Sequence, residues 1–190
     1  SSERQQALLA GIIRSNSRAA RLVNQLLLLM HSEARTDTVM APVPLTSLIQ
    51  DRMAALSPLA AERRIELEFY ADDEFCIDGV RERLMSLIDN VIENAIKYSP
   101  EGGRVEVAVR MCDAFTQLRV SDAGPGIPVE LRERVFDRFF RDPNQMQSGS
   151  GLGLSIVRAV AQQHNSRVSL STSEEGGLVV TVEFPGHTAA

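Results

Sequence analysis

The segment Val80 to Tyr98, VRERLMSLIDNVIENAIKY, sets the tightest limit on what this chain can fold into. At about 100° per residue, Leu84, Leu87, Ile88, Val91 and Ala95 share one arc of a helix, an apolar stripe that only a core can cover. Ser99-Pro100 and the turn Gly102-Gly103 end it. Two stretches that follow, RVEVAVRMC (104–112) and FTQLRVSD (115–122), alternate with period two and read as strands joined by a tight turn. A one-sided helix beside alternating strands predicts helices packed on one face of a sheet.

Upstream, Leu8, Leu9, Ile12, Ile13, Ala19, Leu22, Val23, Leu26, Leu27 and Met30 recur at helical spacing across residues 3–34, with Arg14, Arg18 and Arg21 opposite. A helix this long with a wide apolar stripe needs a partner helix. Polar residues and two prolines break the pattern at 31–44, which predicts a hinge. The expected organisation is therefore 1–36 as a helical segment, 37–44 as linker and 45–190 as the main domain. In that domain Ser47 and Gln50 predict a capping box for a helix running to about Arg64. IELEFY (65–70) predicts a strand, FCI (75–77) is a candidate short one left out of the order below, and a short helix is expected after Pro128. An irregular segment from Phe139 to Ser150 precedes a helix from Leu152 to His164, then the strands RVSLSTS and LVVTVEF around Gly176-Gly177. The order α, β, α, β, β, α, α, β, β predicts an α+β fold of two layers with a mostly antiparallel sheet.

Composition narrows the function. With 44% hydrophobic and 24% charged residues the chain reads as a soluble globular polypeptide. A net charge of −5 argues against direct nucleic-acid binding, which leaves a basic footprint. Cys76 and Cys112 lie in strand-like apolar contexts and read as buried free thiols, with no CxxC or Cys/His cluster to hold zinc. The longest apolar run, LVNQLLLLM (22–30), is short of the roughly 18 residues a membrane span needs and carries Asn24 and Gln25. The chain begins inside a helical pattern, so it is expected to be a piece of a longer protein.

Three segments carry chemistry. On the helix 80–98, Asn90, Glu93, Asn94 and Lys97 gather on an arc beside the apolar one. Amide oxygens suit a hard cation such as Mg²⁺, and a lysine one turn on meets a phosphate as a point charge; a solvated helix face is the plain alternative. In SDAGPGIP (121–128), Asp122 ends a strand where its carboxylate can accept from an exocyclic amine, as on adenine. Gly124 and Gly126 let the backbone fold under a flat ligand, and an ordinary turn is the alternative. In VFDRFFRDPNQMQSGSGLGL (135–154), Phe136, Phe139 and Phe140 anchor a polar segment in which Arg138 and Arg141 can reach a phosphate tail. Gly149, Gly151 and Gly153 precede a helix whose unpaired N–H groups and positive dipole end make an anion site. A surface loop with an aromatic plug is the alternative there.

In order, NVIENAIKYSP, DAGPGIP, VFDRFF and GSGLGLSIV resemble the N box, first glycine box, F box and second glycine box of bacterial sensor histidine kinases. These share an ATPase superfamily with gyrase, Hsp90 and MutL. The resemblance covers about residues 45–186 and implies the Bergerat α/β sandwich with ATP and Mg²⁺ as its ligands. It implies Asn94 as the Mg²⁺ ligand and Asn90 as a neighbouring phosphate- or metal-side residue. Lys97 and Tyr98 stand beside the phosphates and nucleotide, Asp122 is the adenine-reading carboxylate, and Gly124, Gly126 and Ile127 line the base pocket. Arg138 and Arg141 belong to the lid, Arg141 reaching the γ-phosphate, and Gly149, Ser150, Gly151, Leu152 and Gly153 surround the triphosphate. Hydrolysing members carry Glu where Asn90 stands, and an amide is no general base. The resemblance therefore implies phosphoryl transfer to a histidine, with a hydrolytic ATPase of the same fold or a non-catalytic pseudokinase docking module as alternatives.

The acceptor motif of that family, His-Glu-[Leu/Phe]-Arg-[Thr/Ser]-Pro, is absent, and the histidines are His31, His164 and His187. His31 and His164 read as helix-end residues, His164 where an imidazolium suits the dipole. SRAARLVNQLLLLMHSEA (17–34) resembles the second helix of the family's dimerisation hairpin. The implied whole protein is a homodimer in the bacterial inner membrane. Its cytoplasmic catalytic domain would serve a histidine upstream and a cognate response regulator.

Overall fold

The computed structural model describes residues 39–142, 147 and 149–186. The helix expected over 3–34, and with it His31, lies outside the described residues, as does His187. The elements are β1 (Ala41–Pro44), α1 (Leu45–Glu62), β2 (Glu66–Ala71), β3 (Cys76–Gly79), α2 (Arg81–Tyr98), β4 (Arg104–Cys112), β5 (Phe115–Asp122), α3 (Gly153–Gln163), β6 (Arg167–Thr172) and β7 (Leu178–Pro185). The main sheet runs β2-β4-β5-β7-β6, and β1 pairs with β3 in a separate ribbon. Only β2–β4 is parallel in the main sheet; β4–β5, β5–β7 and β7–β6 are antiparallel.

Alternation decides which sheet face is covered. Val105, Val107 and Val109 on β4, Leu118 and Val120 on β5, and Val180, Val182 and Phe184 on β7 are buried beneath the helices. Their neighbours point the other way into a polar face, where Arg119 pairs with Glu106 at 3.1 Å. On α2 the expected stripe is buried, and Ile92 and Ile96 are buried with it. The arc is wider than a one-sided helix because both α1 and α3 pack against α2. A bidentate pair fixes the first of these contacts, Arg52 Nε and Nη2 donating to Asp89 at 2.7 and 3.0 Å.

Several expectations need correction. Residues 41–44 form a strand rather than linker, because Val43 is buried opposite Ile77. Pro42 and Pro44 stand two apart on one side of this edge ribbon, where a missing N–H is tolerated. Ser47 and Gln50 form no capping box: the helix starts at Leu45, so Ser47 falls in the first turn. The first-turn N–H groups of Thr46 and Ser47 donate instead to the Glu74 carboxylate, at 3.0 and 3.2 Å. Two separate 3₁₀ turns, Val129–Leu131 and Arg134–Phe136, replace the short helix after Pro128. Cys76 and Cys112 are exposed, Cys76 on the solvent side of its ribbon and Cys112 at the end of the β4–β5 hairpin.

His164 is the largest departure. It is 4% exposed, and its Nε2 accepts from the Val80 N–H at 3.0 Å, so Nδ1 carries the proton that bonds the Val160 carbonyl at 2.7 Å. Burial chiefly, helped by the nearby Arg83 cation, pushes its pKa below 6.5, so the residue is a neutral tie between α3 and the start of α2. A histidine whose folded pKa is depressed contributes fully above its unfolded value. That contribution is lost as pH falls from about 6.5 through the depressed folded value. Denaturant midpoints should therefore fall between pH 7.5 and pH 5.5. His164→Ala should lower stability by about 2–3 kcal/mol at pH 7.5 and flatten that acid slope, because the Val80 N–H loses its buried acceptor.

Candidate functional site

The polar arc of α2 does not face open solvent. Asn90 is 9% exposed, and its Nδ2 donates to the Ser86 carbonyl at 2.8 Å, one turn back. Its Oδ1 is turned toward Gly153, the first residue of α3. A β-carbon placed on Gly153 would lie 2.9 Å from Asn94 Nδ2 and 3.3 Å from Asn90 Oδ1. Only glycine lets the two helices meet at this spacing. One turn further, Lys97 Nζ stands against Gly149, 2.5 Å from where its β-carbon would be. The same ammonium donates to Tyr98 Oη at 3.1 Å and lies 4.5 Å from that ring's centroid. Asn90, Asn94 and Lys97 thus all meet the segment 149–153.

That segment is fastened to the F-box region by backbone. The Phe139 N–H donates to the Gly151 carbonyl at 3.0 Å, with both residues in left-handed conformation (φ 63° and 71°). The expected aromatic plug is one residue, Phe136, buried under the Arg158 guanidinium at 3.9 Å. Phe139 is 62% exposed, and Phe140 carries Arg134 at 4.6 Å. Leu152 is fully buried, so its side chain belongs to the core and only its backbone borders the site. The Ser150 hydroxyl accepts from the Leu152 N–H at 3.3 Å. The next N–H groups, in the first turn of α3, have no helical partner and point out of the N-terminus, which makes them the local anion donors. Arg138 and Arg141 are exposed, and Arg141 donates to the Gln147 carbonyl at 2.8 Å, within its own segment.

At the other end of the cleft, Asp122 closes β5 and is 7% exposed. Its Oδ1 accepts from the N–H groups of Gly124 at 2.8 Å and Leu178 at 3.1 Å, so acceptor capacity for a ligand lies on Oδ2. Burial raises its pKa above 3.8, against the lowering effect of those two bonds. A β-carbon on Gly124 would lie 2.7 Å from the Tyr98 carbonyl, so the loop after β5 rests directly on the end of α2. Gly126, at φ 68°, packs on the Gly176 carbonyl in the same way. The half-buried Ile127 is held through its carbonyl, which accepts from Arg132 Nε at 3.2 Å while Arg132 Nη2 donates to Thr172 Oγ1 at 2.7 Å. A β-carbon on Gly177 would overlap the Asp122 carbonyl, so this glycine packs directly on the end of β5, and sequence reading missed both it and Arg132. The only sequence signal was the pair Gly176-Gly177, read as a hairpin turn.

The site residues therefore form one continuous path: Gly153 on Asn90 and Asn94, Gly149 on Lys97, Tyr98 under Gly124, and Asp122 beyond. An amide oxygen pair, an ammonium and a helix N-terminus suit a polyanion carrying a hard cation. A buried carboxylate at the far end suits the amine of a planar base. Among the described residues no group of three or more His, Cys, Asp or Glu could hold a metal ion. Amide oxygens and the ligand's own oxygens are donors that suit a hard cation at α2.

A family model described as "Histidine kinase-, DNA gyrase B-, and HSP90-like ATPase" matches residues 79–188. The chain is 34% identical over 148 residues to the signal transduction histidine-protein kinase BaeS of Escherichia coli, covering 76% of this chain and 32% of BaeS. It thus spans about a third of the length of the curated relatives it matches. A solved mycobacterial sensor histidine kinase, MprB, superimposes with a TM-score of 0.72 at 32% identity, over 80% of this chain and all of that one. Full-length ShkA, solved in complex with AMPPNP, gives 0.84 at 27% identity, over 98% of this chain and 40% of that one. A five-stranded sheet under helices, a row of two asparagines, a lysine and a carboxylate, and these likenesses agree: the chain belongs to the histidine kinase-, DNA gyrase B- and HSP90-like ATPase family, among the sensor histidine kinases.

Proposed function

We propose that this domain binds ATP with Mg²⁺ between α2 and the start of α3 and transfers the γ-phosphoryl group to a histidine on another segment. The observation that carries this reading is the meeting of Asn90, Asn94 and Lys97 with the glycine-rich start of α3, in line with the buried Asp122. AMPPNP, the ligand of the similar ShkA structure, is an ATP analogue and fits the same assignment. Asn94, with Asn90 beside it, would hold Mg²⁺ through amide oxygen. When bound, that ion neutralises phosphate charge as the P–O bond to the β-phosphate breaks.

Lys97 and the first-turn N–H groups of α3 orient the phosphates; Arg141 and Arg138 close over them from the lid. Gly149, Ser150 and Gly151 let that lid approach. Tyr98 and Lys97 flank the sugar-phosphate side, and Asp122 accepts from the adenine amine above Gly124, Gly126 and Ile127. The acceptor imidazole nitrogen attacks the γ-phosphorus and ADP leaves, so the protein's work is positioning and charge neutralisation. Asn90 offers no general base for water, which favours transfer over hydrolysis.

In the whole protein, residues 1–36 would be the second helix of a dimerising hairpin. The catalytic domain would work in the cytoplasm beneath an inner-membrane sensor and pass the phosphoryl group to an aspartate of a response regulator. Among the described residues no helix is long and apolar enough to cross a membrane.

The test is to incubate the chain with a separately produced acceptor hairpin and γ-labelled ATP·Mg²⁺. Acid-labile, alkali-stable label on the hairpin is expected; label released only as free phosphate would sink the proposal. Asp122→Asn should weaken ATP binding by about tenfold or more in a calorimetric titration, the loss of one hydrogen bond to a charged group. Protonation removes the same acceptor. Because burial raises the Asp122 pKa, ATP affinity should decline on the acid side with a midpoint above 3.8. Gly153→Ala forces the Asn94 amide away from α3 and should cost about tenfold in Mg²⁺-dependent ATP affinity, with a smaller effect on binding without Mg²⁺.

A further inference from the structure

Arg63 lies outside every motif, yet its side chain reaches the site's main helix. It follows α1, and its guanidinium donates through Nη1 to the Lys97 carbonyl at 2.5 Å and through Nη2 to the Ser99 carbonyl at 3.0 Å. These are carbonyls at the C-terminal end of α2, where the helix offers few N–H partners and its dipole is negative. The tie is reciprocal, since the Gly102 N–H donates back to the Arg63 carbonyl at 3.2 Å. The carbonyl between the two, that of Tyr98, is the one against which Gly124 is packed. Three successive peptide units are thus held from both sides, and the first of them carries the ammonium that faces Gly149.

We infer that Arg63 is a positioning residue for Lys97: by clamping the last turn of α2, it sets the direction in which the ammonium meets the phosphates. The inference rests on the nucleotide reading of the cleft and deepens it. A fork of coplanar N–H donors suits two carbonyls two residues apart, whereas a lysine can reach them only as a mobile point charge. Misdirecting a charged ligand group by a fraction of an ångström is enough to weaken an otherwise intact site.

The experiment is a double-mutant cycle read by ATP·Mg²⁺ titration at a temperature where every variant is folded by near-ultraviolet circular dichroism. Arg63→Met should weaken binding about tenfold when Lys97 is present and less than about twofold in the Lys97→Met background. Arg63→Lys should fall between Arg63→Met and the unsubstituted chain, and it takes the place of Arg63→Met in the cycle if that variant does not fold. Equal losses in both backgrounds, or a lower melting temperature with unchanged affinity, would show a helix cap and no more, and overturn the proposal. Failure of the unsubstituted chain to bind ATP·Mg²⁺ overturns the nucleotide reading itself, and this inference with it.

Discussion

Everything in this domain depends on how α2 is buried. Packed by α1, α3 and the sheet, the helix buries its apolar arc, and beside that arc runs a polar strip of Asn90, Glu93, Asn94 and Lys97 in which Asn90 is buried too. Polar groups in such a strip must be met by hydrogen-bonding partners or by a ligand, because leaving them dry and unpaired costs several kcal/mol. The solution is to cover the strip with backbone. Gly149 and Gly153 bring main chain, not side chains, against the two amides and the ammonium, at spacings too tight for a β-carbon.

In the proposed reading two site residues divide their atoms between fold and ligand. Asn90 uses Nδ2 to hold the Ser86 carbonyl and turns Oδ1 toward α3. Asp122 uses Oδ1 to gather the N–H groups of Gly124 and Leu178, and Oδ2 is the atom that would meet a base. A side chain anchored by one atom presents the other at a set place without further loss of rotamer entropy on binding. The cost shows in Asp122, whose burial raises its pKa despite two favourable backbone bonds.

The sequence made legible what periodicity and local spacing encode. Alternation in 104–112 and 115–122 placed both strands correctly, and the apolar arc of Val80 to Tyr98 put Leu84, Leu87, Ile88, Val91 and Ala95 in the core. The residue types on the neighbouring arc left a phosphate-binding helix and a solvated face both open, and the structure brings Asn90, Asn94 and Lys97 of that arc against residues 149–153. Illegible were the ties made across the chain. Glu74 caps α1 from 28 residues away, His164 holds the start of α2 from 84 residues away, and Arg63 clamps its end across 34. Each replaces a local cap that sequence rules look for within four residues, so Ser47 and Gln50 drew attention to the wrong device. His164 was misread for the same reason: a helix-end histidine suits the dipole only if exposed, and burial by Gly79 and Leu84 lay in the fold alone.

These long-range ties share one consequence. Both ends of α2 are held by side chains from outside it, His164 at Val80 and Arg63 at Lys97 and Ser99. A helix pinned at both ends cannot shift its register or rotate without breaking a part-buried hydrogen bond at each, so its polar strip is held in place by the fold. The segment facing it is different. Arg138, Phe139 and Arg141 are exposed, and Arg141 is bonded only within its own segment among the described residues. One wall of the site is therefore held by the fold, while the other is closed on itself by the backbone bond between Phe139 and Gly151. That asymmetry suits phosphoryl transfer. In the proposed reaction α2 would hold the nucleotide still while its γ-phosphate is uncovered to an acceptor from a different part of the protein.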